Sequence, residues 1–167
     1  MNKKKITDIP PIEVNDSYIS CFQTKAELFN DYFSSLCSLP NDDNIVPLVP
    51  QITNNKLTNF TADVESIVSI INKLKTKKAS GPDGISAHML KLCPVEMASA
   101  LYHLFNKILI TDEFPDVWKM ANVQPVHKKS SRQQIKNYRP ISLLPICSKI
   151  FEKITLIKCT VSLSKMA

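Results

Sequence analysis

Apolar positions along this chain repeat first at helical spacing and then, past residue 120, at the spacing of extended strands. Ala26, Phe29, Phe33 and Leu36 share one side of a helix predicted from roughly residue 25 to 37, with Thr24 and Glu27 forming a capping box at its start. Val64, Ile67, Val68, Ile71 and Leu74 make a second stripe, capped by Thr61 and with Asp63 and Glu65 near its positive end. Ser86 opens a short helix through Leu92, and Pro94 sits well at the first position of a longer one. In that longer helix Ala98, Leu101, Tyr102, Phe105, Ile108 and Leu109 define the buried face, and it stops near Thr111–Glu113, ahead of Pro115. The pattern then changes. Val123–His127 reads as extended, and Pro140 steers Arg139 out of helix toward β geometry, so that Ile141 and Leu143 fall on one face. The polar, glycine-free run Ser130–Lys136 joins the two segments, and the simplest reading is a hairpin with a cationic tip and inner side. Trp118, the sole tryptophan, is read as a core anchor at its base.

Less patterned stretches separate these elements. Residues 1 to about 23, rich in proline and charge, are expected to be a tether, and the run from Pro40 to Pro50 a linker. The expected fold class is therefore α+β, mostly helical, with a basic β-hairpin.

Charge sharpens the picture. Residues 1–118 carry 11 Lys/Arg against 14 Asp/Glu, whereas residues 119–167 carry 10 against one, Glu152. Two readings stand for such a basic third: a polyanion partner, or a solvated face. The five cysteines are scattered and never spaced as C-x-x-C, which argues for a reducing compartment and against zinc or a disulfide frame. Met1–Lys5 is basic like the start of a signal peptide, but Asp8, Pro10, Pro11 and Glu13 deny it an apolar continuation, and no run approaches a membrane span. An intracellular, cytoplasmic or nuclear protein without a membrane partner is expected.

The candidate chemistry concentrates in two places. Arg139 offers a planar fork suited to bidentate phosphate contact, and Lys128 and Lys129 offer mobile point charges, so the hairpin suits a triphosphate or a nucleic-acid backbone. Both glycines of the chain, Gly81 and Gly84, lie together in Ala79–Ile85, after the cationic run Lys73, Lys75, Lys77 and Lys78. Such a loop turns sharply or admits something close to its backbone, and the spacing favours the turn. His88 and His103 read as packing or surface residues, and the adjacent Asp42 and Asp43 as a solvated loop.

Three blocks occurring in order carry a resemblance: Lys77-Lys78-Ala79-Ser80-Gly81-Pro82-Asp83-Gly84-Ile85, then Phe114 through Lys129, then Asn137-Tyr138-Arg139-Pro140-Ile141-Ser142-Leu143-Leu144 with Lys149–Ile154. Together they resemble the reverse transcriptase of jockey-like non-LTR retrotransposons over about residues 60 to 154, and Ala26–Phe33 is similar to the segment preceding the polymerase. The resemblance implies the fingers and start of the palm of a right-hand polymerase, after a partly disordered N-terminal region of residues 1–59. It implies that the loop of Lys77, Lys78, Gly81, Pro82, Asp83 and Gly84 lies near the template, that Arg139 contacts the triphosphate of the incoming nucleotide, and that Lys128 or Lys129 is its partner. RNA template, DNA primer and dNTP follow as implied partners.

The family's magnesium ligands come from an aspartate block and an aromatic-x-Asp-Asp turn, neither of which is in this sequence. Residues 155–167 depart from the family pattern. The chain is accordingly expected to be a truncated reverse transcriptase domain without catalytic residues or cofactor of its own, inactive alone. The competing expectations are a residual nucleic-acid-binding module and a translated transposon fossil. Without a palm, Leu143, Leu144 and Ile146 would leave apolar surface exposed. The helices at 61–76 and 94–110 are expected to pack together all the same, with the basic hairpin mobile.

Overall fold

The computed structural model describes residues 9–37 and 61–164, the last three by their backbone alone. The Pro40–Pro50 linker and the Asp42–Asp43 pair lie outside the described residues. The chain divides into two units, one made of Met1–Pro50 and Val123–Ile141, the other of Gln51–Asn122 and Ser142–Ala167.

In the first unit, β1 (Ile12–Val14) and β2 (Ser17–Ile19) pair antiparallel, with Ile12 opposite Ile19 and Val14 opposite Ser17. The turn between them consists of Asn15 (φ 47°) and Asp16 (φ 60°), both left-handed, the geometry whose twist matches a two-residue hairpin. Residues 9–23 thus hold a hairpin where a tether was expected. The signal was present in Ile-Glu-Val-Asn-Asp-Ser-Tyr-Ile, a short alternation around two residues that tolerate positive φ.

Helix α1 (Phe22–Cys37) begins ahead of Thr24, so the expected capping-box residues Thr24 and Glu27 lie within the helix and not at its start. Its buried stripe is Lys25, Phe29 and Phe33, whereas Ala26 and Leu36 are exposed. The i, i+4 row runs straight along the helix, and Lys25 joins it by laying its stem on the core while its ammonium donates to the Ile9 carbonyl at 2.6 Å. The unit is completed by β3 (Asn122–His127) from Val123 on, a 3₁₀ turn (Ile135–Asn137) and β4 (Tyr138–Leu143) as far as Ile141. Its core is Ile12, Phe29, Phe33 and Tyr138, with Ile9, Val14, Tyr32 and Ile135 packed around them.

The second unit is helical. Helix α2 (Val64–Asn72) buries Ile67, Ile70 and Ile71, with Val64, Val68 and Leu74 partly covered. Its N-cap is Asp63, not Thr61: the Asp63 carboxylate accepts from the Ser66 N–H at 2.8 Å and from the Lys158 ammonium at 2.7 Å. Thr61 is displaced from the role because Ala62 is tied to Asn106, whose carboxamide oxygen accepts from the Ala62 N–H at 2.9 Å. Helix α3 (Ala87–Leu92) is capped by Ser86 as expected, its hydroxyl accepting from the Met89 N–H. Helix α4 (Pro94–Thr111) has proline at its first turn and buries Ala98, Leu101, Phe105 and Ile108. It ends at Asp112, held left-handed at φ 57° while its N–H bonds the Ile108 carbonyl.

Helix α5 (Asp116–Lys119) carries Trp118, which is buried against Phe105, Phe114 and Phe151 at centroid distances of 5.6 to 6.3 Å. Helix α6 (Ile146–Ser164) supplies Cys147, Ile150, Phe151 and Ile154 to the same core. Leu143, Leu144 and Ile146 are half-buried, and Ile146 packs against that core. Among the described residues no helix is long and apolar enough to cross a membrane, and all five cysteines are free.

Between α2 and α3, Gly81 lies against the backbone of Leu144 and Pro145. A Cβ there would stand 2.4 Å from the Pro145 nitrogen and 2.6 Å from the Leu144 carbonyl carbon. Gly84, at φ 70°, closes the turn through its N–H to the Gly81 carbonyl at 3.2 Å, and a Cβ there meets nothing. Gly81→Ala is therefore expected to cost about 1–3 kcal/mol through overpacking of unyielding backbone. Gly84→Ala is expected to cost about 1–2 kcal/mol through the left-handed conformation alone. Urea titrations followed by Trp118 emission compare the two variants.

Asp63 supplies a second test. The Lys158 hydrogen bond, and then that of Ser66, lower its carboxyl from 3.8 to about 2. Since folding depresses this pKa, the stabilisation is present above about pH 4 and is lost as pH falls toward 2. The carboxylate is 38% exposed, so solvent screening reduces the contribution to about 1 kcal/mol. Asp63→Asn keeps a capping oxygen and is expected to be less stable than the parent at pH 6 but to converge on it near pH 2, read by urea midpoints across that range.

Candidate functional site

The basic hairpin is built on one cross-strand register. Lys128 N–H donates to the Asn137 carbonyl at 2.8 Å, and the paired strands Asn122–His127 and Tyr138–Leu143 are equal in length. His127 therefore stands opposite Tyr138, and Val126 opposite Arg139. The rings of His127 and Tyr138 meet edge-on at 5.4 Å, as that register requires. Alternation along β4 sends Tyr138 and Arg139 to opposite faces. Tyr138 is buried at 3% exposure in the core of the first unit, and Arg139 is exposed.

The tip is shaped without glycine. Ser130 takes the left-handed conformation at φ 67°, and its carbonyl lies 3.0 Å from His127 Nε2. Ser131 holds the loop twice, its hydroxyl accepting from the Gln133 N–H and its carbonyl accepting from the Asn137 carboxamide at 2.8 Å. The Tyr138 hydroxyl donates to the Arg132 carbonyl at 2.7 Å, and the Glu13 N–H of β1 donates to the Gln133 carbonyl at 2.8 Å. The hairpin expected to be mobile is thus packed on α1 and hydrogen-bonded to β1.

The three cations expected to act here, Lys128, Lys129 and Arg139, are all exposed. Their placement differs. Lys128 belongs to the last rung of the ladder and is the diagonal neighbour of Arg139 on the face away from Tyr138, a relation that in sheets brings β-carbons within about 7–8 Å. Lys129 lies one residue further, on the bend. A long ammonium side chain and a guanidinium at that separation can grip one polyphosphate between them.

The loop expected near a template lies in the second unit. Lys77, Lys78, Pro82 and Gly84 are exposed, Gly81 is buried and Asp83 is half-buried. One Asp83 carboxylate oxygen accepts from the Ile85 N–H at 3.2 Å, and the other is buried without a hydrogen-bond partner among the described residues. Burial, and then the charge of Asp83, push the Cys147 thiol up to about 11, so it is an inert packing group. Gly81 and Asp83 shape the turn, and Lys77 and Lys78 present charge to solvent.

Of the remaining candidates, His88 and His103 are both exposed, His103 edge-on to Tyr102. Among the described residues no group of three His, Cys, Asp or Glu side chains converges. Sequence reasoning gave Tyr138 no role, although it stands beside Arg139; the alternation that turned the arginine outward was the signal that its neighbour turns inward.

No protein-family model matches the chain. Its relatives include three RNA-directed DNA polymerases from Drosophila melanogaster. The probable RNA-directed DNA polymerase from transposon BS is 39% identical over 92 residues, 54% of this chain and 10% of that protein. The RNA-directed DNA polymerase from mobile element jockey is 35% identical over 94 residues, 56% and 10% of the two. The probable RNA-directed DNA polymerase from transposon X-element is 32% identical over 93 residues, 55% and 10%. The chain spans about a tenth of the length of these curated relatives. Through a stretch of about 55% of its residues, then, it is related to the RNA-directed DNA polymerases of jockey-like and other non-LTR retrotransposons.

Proposed function

We propose that this chain is a fingers region of a reverse transcriptase whose basic hairpin binds the triphosphate of an incoming nucleotide, with the loop Lys77–Gly84 facing the template. The observation that carries the reading is the hairpin's two-sidedness: Tyr138 sunk in a core and Arg139 projecting from the opposite face, with Lys128 on the same side. A guanidinium on an anchored strand loses little freedom on binding, which favours a defined phosphate geometry over loose charge attraction. Similarity to the transposon polymerases supports a nucleotide and a nucleic acid as the anions concerned.

Each residue has a distinct part. Arg139 forms paired N–H···O bonds to one phosphate, and Lys128 neutralises the next as a point charge. Lys77 and Lys78 neutralise backbone phosphates of the template strand without reading its sequence. The family's reaction needs magnesium to stabilise attacking and leaving oxygens, and among the described residues no carboxylate cluster converges. The role proposed for this region is binding and orientation.

Isothermal titration of the purified chain with dTTP tests the assignment. Arg139→Ala is expected to weaken binding about tenfold, in line with loss of a charged hydrogen-bond pair worth about 1.5 kcal/mol. Lys128→Ala is expected to weaken it several-fold, and Lys129→Ala least; equal affinity for the parent and Arg139→Ala would remove the basis of the reading. Primer extension by the same chain with magnesium is expected to yield no product, and template-dependent product would show that it holds the metal ligands after all.

A further inference from the structure

The residues that fix Arg139 are distant from it in sequence. Phe29 of α1 meets the Tyr138 ring edge-on at a centroid distance of 5.0 Å, and Phe33 lies behind Phe29 at 5.6 Å. Ile12 of β1, fully buried, closes the same cluster, and the Glu13 N–H beside it bonds the hairpin's Gln133 carbonyl. Tyr138 is the residue immediately before Arg139. With its ring enclosed by Phe29, Phe33 and Ile12 and its hydroxyl bound to the Arg132 carbonyl, β4 cannot rotate about its own axis without emptying the core. Rotation of β4 is the motion that would turn Arg139 away from its face.

We infer that the N-terminal module of β1, β2 and α1 is a positioning platform for phosphate binding, and that Phe29 is a positioning residue acting on Arg139 through Tyr138. The inference rests on the proposed role of the hairpin and adds to it a residue that touches no ligand. Its physical content is a population effect. If the anchored hairpin is the binding-competent state, emptying the Phe29 site lowers its fraction, and apparent affinity falls by the same factor. The contact contributes to binding only by keeping Arg139 and Lys128 on one face before the anion arrives.

The test uses the full chain and inorganic tripolyphosphate, followed by titration calorimetry at low salt. Phe29→Ala is expected to weaken binding about tenfold, as for a drop of the competent fraction to about a tenth. Trp118, in the other unit, is expected to keep its emission spectrum, and exchange of the Lys128 amide is expected to accelerate. The double variant Phe29→Ala/Arg139→Ala is expected to bind no more weakly than Arg139→Ala alone, because Phe29 has nothing left to act through. Additive losses would overturn the inference, as would parental affinity in a folded Phe29→Ala chain. Should Phe29→Ala lose its helical signal, Phe29→Leu, which keeps most of the volume but not the ring edge, carries the test: a loss smaller than that of Arg139→Ala and absent from the double variant supports the inference, and no loss overturns it. If Arg139→Ala itself binds as well as the parent, the reading of the hairpin fails, a result distinguishable from failure of the Phe29 arm alone.

Discussion

The enclosure of one tyrosine ring determines how the basic hairpin is presented. A two-stranded ribbon has little stability of its own in water and needs a hydrophobic face packed on something else. Here that face is reduced to Tyr138, buried among Phe29, Phe33 and Ile12, with the His127 ring laid against it from the neighbouring strand. Because side chains alternate along a strand, burying residue 138 exposes residue 139, and the cationic face is a geometric corollary of the apolar one. A slip of one residue would exchange the two, placing a guanidinium in the core and a phenol in water.

The second unit depends on a different device. Phe105, Phe114, Trp118 and Phe151 come from α4, the connection after it, α5 and α6, and their tilted and edge-on contacts close the core at that end. The Asp63–Lys158 pair spans the unit elsewhere, joining the start of α2 to α6 across 95 positions of sequence. Lys158 lies in the stretch after Ile154 that was expected to depart from the family pattern, and that stretch continues α6 without a break through Ser164. Helix needs only propensity and a packing face, and residues 155–164 supply both whatever pattern they follow.

Much of the helical scaffold was legible in the residues. The α4 stripe, the proline at its start, the Ser86 cap and the mixed helix-and-strand content follow from periodicity and capping chemistry, and the structure agrees with each. The failures have physical causes. The sequence reads Thr61 as the cap and Asp63 only as a charge near the helix's positive end, although hydroxyl and carboxylate do the same job locally; the choice of Asp63 was made by Asn106 and Lys158, far away in sequence. The α1 stripe was misplaced toward Ala26 and Leu36 because a lysine was not counted as core, although its aliphatic stem packs well. The four residues of α5 carry too little pattern to register, and the β1–β2 ribbon was hidden by its shortness and charge. At the candidate site, Lys128 and Lys129 could not be told apart by chemistry; only the ladder bond to Asn137 separates them.

The first unit is assembled from segments lying on both sides of most of the second unit's sequence. Phe29 and Tyr138 are separated by roughly a hundred residues, so their meeting requires closure of a long chain segment, a cost that grows with the logarithm of its length. During synthesis α1 leaves the ribosome well before the hairpin that covers Phe29 and Phe33 exists. Those rings stay uncovered while the helices encoded between them are made, so the nascent chain carries the apolar face of α1 exposed until the hairpin emerges.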